Sequence, residues 1–465
     1  MEEIVRERGR PTGTPEAKRV AAGAGVGAAI EVYDFIGFGT AAALYFGDAF
    51  FPRSDAATGT LFAFATLGVG FVARPLGGIV AGHIGDRIGR KPVLVASLIL
   101  MGVTTVCMGL LPTYDAVGAL APILLVVVRV VQGLAFGAEW GGAVLMTYEH
   151  APLHRKGTYT GFMHAGFAVG LLLANLAFLS TSSLGNDWSW RLPFLFSLVL
   201  IVIGLAIRSR LSESPVFEEV KGSGGELKSP MVEVIRHDWR AVGLGLLIRV
   251  AEPAGYAVAV TFMLSYLKDN DLASEGVILR SLCLAAGIGI VATPLWGMLT
   301  DRIGRKPVFI GACVFGVAFA FPMFLMVNTG SVLLVSGVLV LAYTVFQNAL
   351  VAAQGTLLPE MYRPEVRFSG ASLAYQLSAV IAGFVPFMAS ALYLAVGWKG
   401  TALLFAVLCL ISLAAVLRVP EPWSAPTRDQ ARELVERFTS DPGPAEQGAV
   451  PSRAAGVTAS RSGAE

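Results

Sequence analysis

Gly82-His-Ile-Gly-Asp-Arg-Ile-Gly-Arg-Lys-Pro-Val93 returns later in the same chain as Gly297-Met-Leu-Thr-Asp-Arg-Ile-Gly-Arg-Lys-Pro-Val308. Nine of the twelve positions are identical, at an offset of 215 residues. A close self-match at equivalent positions is the mark of an internal repeat. Each copy is a short basic loop between two long apolar stretches. The chain therefore reads as two halves of one design, and the fold follows from what flanks the loops.

What flanks them is apolar and long. A helix crossing a bilayer needs about 20 mostly apolar residues. Twelve stretches qualify, at 20–46, 58–83, 92–111, 117–146, 158–184, 192–207, 241–267, 277–300, 307–327, 331–358, 369–396 and 401–419. The sixth is short. The first basic loop joins spans two and three, and the second joins spans eight and nine. The expected fold is an all-α membrane protein of twelve transmembrane helices in two pseudo-symmetric six-helix bundles. Its parts are an N-tail (1–19), the first bundle (20–207), a linker (208–240), the second bundle (241–419) and a disordered C-tail (420–465). The linker holds Lys221-Gly-Ser-Gly-Gly225, a flexible composition. The tail is rich in Pro, Ala and Ser and shows no heptads.

Composition agrees. Charged residues are 15% of the 465, against roughly 25% in an ordinary soluble domain. Too few charges remain to cover a soluble surface, which disfavours a soluble enzyme or a nucleic-acid binder. The 35 cations are unevenly spread. With the N-terminus placed inside, 27 fall on the cytoplasmic side and five outside: Arg53, Arg191, Lys268, Arg280 and Lys399. By the positive-inside rule both termini are expected in the cytoplasm, in a multi-pass plasma-membrane protein. No phosphate-binding Gly-x-x-x-x-Gly-Lys-Ser/Thr loop occurs, so ATP-driven transport has no support. The four cysteines and five histidines have no metal-ligand spacing, and no cofactor or metal is expected.

The remaining three cations, Arg74, Arg129 and Arg249, lie within spans, as do Glu31, Asp34, Glu139 and Glu252. An ionised group at mid-bilayer costs about 2.5–3.5 kcal/mol on insertion scales, so each needs a reason to be there. At 1.5 Å per residue, Asp34 and Arg129 reach similar depth near the midplane. Asp34 and Glu31 share one helical face; Arg129, Gln132, Phe136 and Glu139 share another. Asp34, Glu31, Arg129 and Glu139 are therefore the expected proton-coupling set. Protonating Asp34 would free Arg129, across a central cavity, to meet an anionic substrate. The plainer reading is that these are ion pairs fixing helix register, and Arg74, beside Pro75, admits it too. In the second half Arg249 and Glu252 precede Pro253, which tends to open a helix. At the repeat offset Arg249 stands where Asp34 stands in the first half. Its planar fork suits a carboxylate. Expected substrate contacts are Arg129, Arg249, Glu252, Gln347, Asn348, Tyr375 and Gln376. The repeated loops read as a cytoplasmic gate: Gly82, Asp86, Arg87, Arg90 and Lys91 in the first copy, Asp301, Arg302, Arg305 and Lys306 in the second. An aspartate there can pair with cations and with a helix N-terminus.

The two loops and Arg129-Val-Val-Gln-Gly133 resemble the signatures of the major facilitator superfamily. Glu31-Val-Tyr-Asp-Phe35, Arg74-Pro-Leu-Gly77, Gly137-Ala-Glu-Trp-Gly-Gly142, Glu213-Ser-Pro215, Leu358-Pro-Glu-Met361 and Arg367-Phe-Ser-Gly370 resemble its metabolite:proton symporters more closely. Val32 and Ala138 depart from that pattern, which usually has Trp and Gly. The resemblance implies a bacterial secondary active transporter, working as a monomer by alternating access and driven by a proton gradient. It also ties Asp86 to the conformational change. The expected activity is uptake of protons with a small, anionic metabolite. The run from Arg367 to Gln376 leans toward a shikimate-like acid. The alternative is a proton-driven export antiporter of the same fold.

Overall fold

The computed structural model describes residues 15–88, 90–137, 140–185, 187–209, 234, 236–362 and 366–419. Among them there are helices and no strands. Twelve spans are present: α1 (Pro15–Leu44), α2 (Ala56–Ile88), α3 (Arg90–Leu110), α4 (Leu120–Phe136), α5 (Lys156–Thr181), α6 (Trp188–Ser209), α7 (Trp239–Asp269), α8 (Glu275–Ile303), α9 (Arg305–Val327), α10 (Val332–Glu360), α11 (Ser369–Val396) and α12 (Trp398–Arg418). Ten are long and apolar enough to cross a membrane, and α3 and α4 supply two shorter apolar stretches. The sixth span starts earlier than expected, at Trp188. The fourth stops earlier, at Phe136, and a separate helix runs from Trp140 to His150.

Close helix packing is built on glycine. A Cβ on Gly133 of α4 would stand 2.1 Å from the carbonyl oxygen of Gly70 in α2, and one on Gly77 would stand 2.0 Å from that of Leu134. Only a residue without a side chain permits that approach, as is common between membrane helices. The α1–α5 pair uses the same device, with Gly166 against the Gly25 carbonyl. At the mouth of α2, Asp55 caps the helix by accepting from the Thr58 N–H (3.0 Å) and hydroxyl (2.7 Å). Those two bonds hold its carboxyl below the usual carboxylate range.

The halves meet along two seams. One is α5 on α8 and the other is α2 on α11. Adding six to α5 and subtracting six from α8 turns the first pair into the second, as a duplicated six-helix unit requires. The outer helices show leucine, isoleucine and valine to the surroundings, among them Leu110, Val199, Leu325 and Leu417. The charged side chains inside the bundle are buried.

Two helices of the second half are not regular. In α10 the stretch Ala342–Gln347 is a π-helix, and so is Ala257–Phe262 in α7. Such segments displace the backbone bonding by one residue and often mark functional sites. The indole of Trp296 on α8 donates to the Thr344 carbonyl oxygen (2.8 Å), occupying an acceptor in the wound stretch. Nearer its start, α7 is also interrupted, with one helix ending at Arg249 and the next beginning at Ala251. The hydroxyl of Ser412 on α12 enters the gap. It accepts from the Ala251 N–H (2.9 Å) and donates to the Leu247 carbonyl (2.8 Å), the two groups that would otherwise bond each other. A side chain inserted into the ladder opens a helix. Pro253, with no N–H to give, adds to the break.

Candidate functional site

Between the halves lies a cavity offering about 90 Å³ to water-sized molecules. At roughly 10–15 Å³ of such space per water, it holds the equivalent of six to nine waters. Its wall comes from α1, α2 and α5 of one half and α7, α10 and α11 of the other. Both irregular helices contribute: Tyr256, Ala257 and Thr261 from α7, Tyr343 and Gln347 from α10.

Two buried ion pairs face each other in this wall, one from each half. Arg74 donates to Glu31 at 2.9 Å, and its guanidinium lies over Phe71 (5.0 Å) and Phe136 (4.8 Å). Across the cavity, Arg249 meets Glu252 at 3.2 Å. Arg249 also donates to Ser378 (2.8 Å) and lies over the Tyr375 ring at 3.5 Å. Glu252 in turn accepts from the Gln347 amide. Each arginine is neutralised within its own half, stacked on an aromatic face and still part of the cavity surface. Such cation–π contacts stabilise a desolvated cation by about 2 kcal/mol. An anion entering here meets two guanidinium groups already stripped of water.

Several expected residues are thus brought together. Glu31, Arg249, Glu252, Gln347, Asn348 and Tyr375 all line the cavity. Arg129 and Gln376 are not among the residues that line it. Arg129 sits behind the wall, donating to Gln132, with its guanidinium 4.3 Å from the Phe38 ring centre. Gln132 passes the link on to Thr105 (2.8 Å). Asp34 is also behind the wall, 1% exposed. Its carboxylate faces Thr105 and lies in the field of Arg129, and neither oxygen has a hydrogen bond of ordinary geometry. The two therefore do not meet across the cavity; they are neighbours inside one half. Gln376 instead donates to the Gly137 carbonyl (3.2 Å) of the opposite half. Glu139 and the first-loop set Gly82, Asp86, Arg87, Arg90 and Lys91 lie outside the residues whose side chains are described.

The halves touch on both sides of the cavity. Toward the basic loops, Ala28, Val144, Met163, Leu358 and Tyr375 form an apolar plug drawn from both halves. Beyond it, Asp301 of the second loop accepts from the Gly157 N–H (2.8 Å), the Thr158 N–H (2.7 Å) and the Thr158 hydroxyl (2.7 Å). An acidic side chain thus caps the N-terminus of α5 from the other half, where the helix dipole favours it. Arg305 links Glu360 (3.2 Å) to Asp301 (4.0 Å), Lys306 holds the Val419 carbonyl (2.7 Å), and Arg302 is exposed. At the opposite end Tyr45 donates to Glu275 and Lys268 to the Leu44 carbonyl.

Three features escaped the sequence reading. Arg74 admitted a purely structural role there, yet it forms the cavity's first-half cation. The π-helices leave no trace in hydrophobic periodicity. Ser412 is an ordinary serine in an apolar span, and only its position beside the Ala251–Leu247 gap gives it a role.

A charge-lined chamber between two membrane-embedded halves, which touch each other on either side of it, is the architecture of a membrane transporter. Residues 24–384 and 281–454 match the model of the Major Facilitator Superfamily. The chain belongs to that superfamily, among its metabolite:proton symporters. It is 36% identical over 412 residues to the shikimate transporter of Escherichia coli (strain K12), covering 86% of this chain and 94% of that one. It is 33% identical over 385 residues to the proline/betaine transporter of the same strain, covering 79% and 76%. The crystal structure of a D-xylose-proton symporter superposes with a TM-score of 0.64 at 19% identity, over 88% of this chain and 99% of that one. The protein is a multi-pass membrane transporter and not an enzyme.

Proposed function

We propose that the protein takes up a small hydroxylated carboxylate, of the shikimate type, together with protons. The observation that carries this reading is the pair of aromatic-backed arginines, Arg74 and Arg249, facing one small cavity from opposite halves. A carboxylate recruits one of them by competing with its resident glutamate. Ring hydroxyls are matched by Gln347, Asn348 and Tyr343. The similarity to a shikimate transporter supports the same class.

Coupling is assigned to Asp34 and Glu31, one turn apart on α1. Asp34 is buried beside Thr105 and Arg129, so its charge state sets the field at Arg129. Once it is protonated, Arg129 loses its counter-charge, and the Arg74–Glu31 pair beside it is left in a more positive field. That favours an anion in the cavity and ties substrate binding to proton binding. The loops rich in Lys and Arg face the cytoplasm, so Asp301 closes the inner mouth and Tyr45–Glu275 the outer one. The proton gradient is the driving force, no cofactor takes part, and one chain suffices.

The test is uptake into proteoliposomes under an inward proton gradient, with labelled shikimate, 2-oxoglutarate, citrate and betaine, with and without an uncoupler. Shikimate accumulation abolished by the uncoupler is expected. Accumulation that survives uncoupling would reject symport. Asp34→Asn is expected to exchange labelled for unlabelled substrate while losing net accumulation. Full accumulation by Asp34→Asn would remove Asp34 from the scheme.

A further inference from the structure

One buried titratable group takes no part in this coupling. His164, on α5, is 1% exposed. Its Nδ1 is 2.8 Å from the Thr160 carbonyl oxygen, one turn back on the same helix. A carbonyl only accepts, so Nδ1 carries the proton and Nε2 keeps a bare lone pair. That Nε2 is buried and has no hydrogen-bonding partner.

The ring sits in the seam between the halves. It meets the cavity residue Phe167 edge-on, with centroids 5.2 Å apart. On the other side it fills the space left by Gly355 of α10, where a Cβ would stand 2.7 Å from Cε1 and 3.1 Å from Nδ1. A ring from one half is thus seated in a glycine socket of the other. Eight residues beyond Lys156, it is about 12 Å in from the start of α5. That depth is between the Asp301 contact and the cavity. Parting the inner mouth must therefore unseat this ring and bring water to Nε2.

The charges around it decide what a proton does there. Arg249 on α7 is the group whose field reaches the ring. Among the described residues, acids on the surrounding helices have other partners: Glu31 with Arg74, Glu252 with Arg249, Glu275 with Tyr45, Asp301 with the start of α5 and Glu360 with Arg305. Asp34 of α1 faces Thr105 and Arg129. An imidazolium in the closed seam would be a second buried cation near Arg249, with the described acids around it already given to other partners, and burying an unpaired charge is costly. In the open seam water solvates it.

We propose that His164 is a proton-binding site of the inner seam, seating the seam closed while neutral and holding it open once protonated. Proton-coupled uptake acidifies the compartment that the seam opens to. As protons build up, His164 keeps the inner mouth open for longer and the cycle slows, a brake set by the product of transport. This rests on alternating access by the two halves and not on the identity of the substrate.

Spin labels at Arg155→Cys and Ile303→Cys, at the inner ends of α5 and α8, report the opening. They are placed in the full chain in lipid nanodiscs with the native cysteines replaced and no substrate added. From pH 8 to pH 5.5 the long-distance population is expected to grow, by up to tenfold per pH unit, the limit for one proton. His164→Gln, which keeps an amide donor for Thr160, is expected to abolish the response. An equal response in His164→Gln, or none in the parent, would overturn the proposal. If that variant does not fold, a chain with His83, His150, His154 and His237 replaced leaves His164 as its one imidazole. Its ¹⁵N spectrum should show the ring gaining a proton in step with the opening. A ring still neutral in the open population would overturn the proposal equally. Neither readout uses shikimate, so failure of the substrate assignment leaves this test intact.

Discussion

Glu31 and Arg74 are both buried, and each is the other's counter-charge at 2.9 Å. Removing one partner takes away the other's counter-charge, and breaking a buried pair typically costs about 3–5 kcal/mol. Glu31→Gln and Arg74→Gln alone should therefore each destabilise the solubilised protein strongly. The double variant should be markedly more stable than the sum of the two predicts, because neither charge is left alone. Thermal melting of the four forms in detergent gives the coupling, and additive losses would mean that the pair is not an energetic unit. At this scale the sequence located the charges but not their company. Depth along a helix follows from counting residues, so Asp34 and Arg129 were legible as midplane groups. Which way each points depends on helix rotation, and rotation is set by packing. The count therefore could not tell that α4 turns its polar stripe away from the cavity while Arg74 of α2 faces it.

Packing of that kind is decided by helix elements and their glycines. Arg129 is carried by α4, and α4 is held against α2 by Gly133 at the Gly70 carbonyl. A methyl group there has no room unless the helices separate. Gly133→Ala is expected to cost about 1–3 kcal/mol, the usual range for overpacking. It should also impair uptake, because it displaces Arg129 and Arg74 together. Melting and transport of the variant check this; unchanged values for both would mean that the α2–α4 contact is not what positions the arginines. The twelve spans themselves were readable because bilayer thickness fixes their length. The break in α7 was partly readable from Pro253. The Ser412 hydroxyl that completes it comes from α12, and no local pattern links two residues so far apart. The early end of α4 at Phe136 was hidden because the apolar residues resume on both sides of Glu139.

For the molecule as a whole, alternating access requires the ends of the cavity to open in turn. Tyr45 and Glu275 join the halves at the end away from the basic loops. Replacing both with cysteine, in a chain free of its four native ones, allows a short cleavable thiol cross-linker to bridge them. Bridging is expected to stop uptake, and cleaving the linker to restore it. Uptake that continues through the bridge would show that this end need not part. The repeat of Gly82–Val93 at Gly297–Val308 made the two-half plan legible from the chain alone. It could not say how the halves differ.

They differ in compliance. The first-half helices around the cavity, α1, α2 and α5, are each continuous. The second-half helices around it, α7, α10 and α11, are not: α7 is pried apart at Ser412, α7 and α10 both carry π-turns, and α11 is divided at Phe384. The two halves share one frame, but the helices that line the chamber are regular in one and interrupted in the other. Interrupted helices bend more easily than continuous ones, so a change in the chamber's shape is expected to be expressed through Arg249, Glu252 and Gln347 before it reaches the Glu31–Arg74 wall.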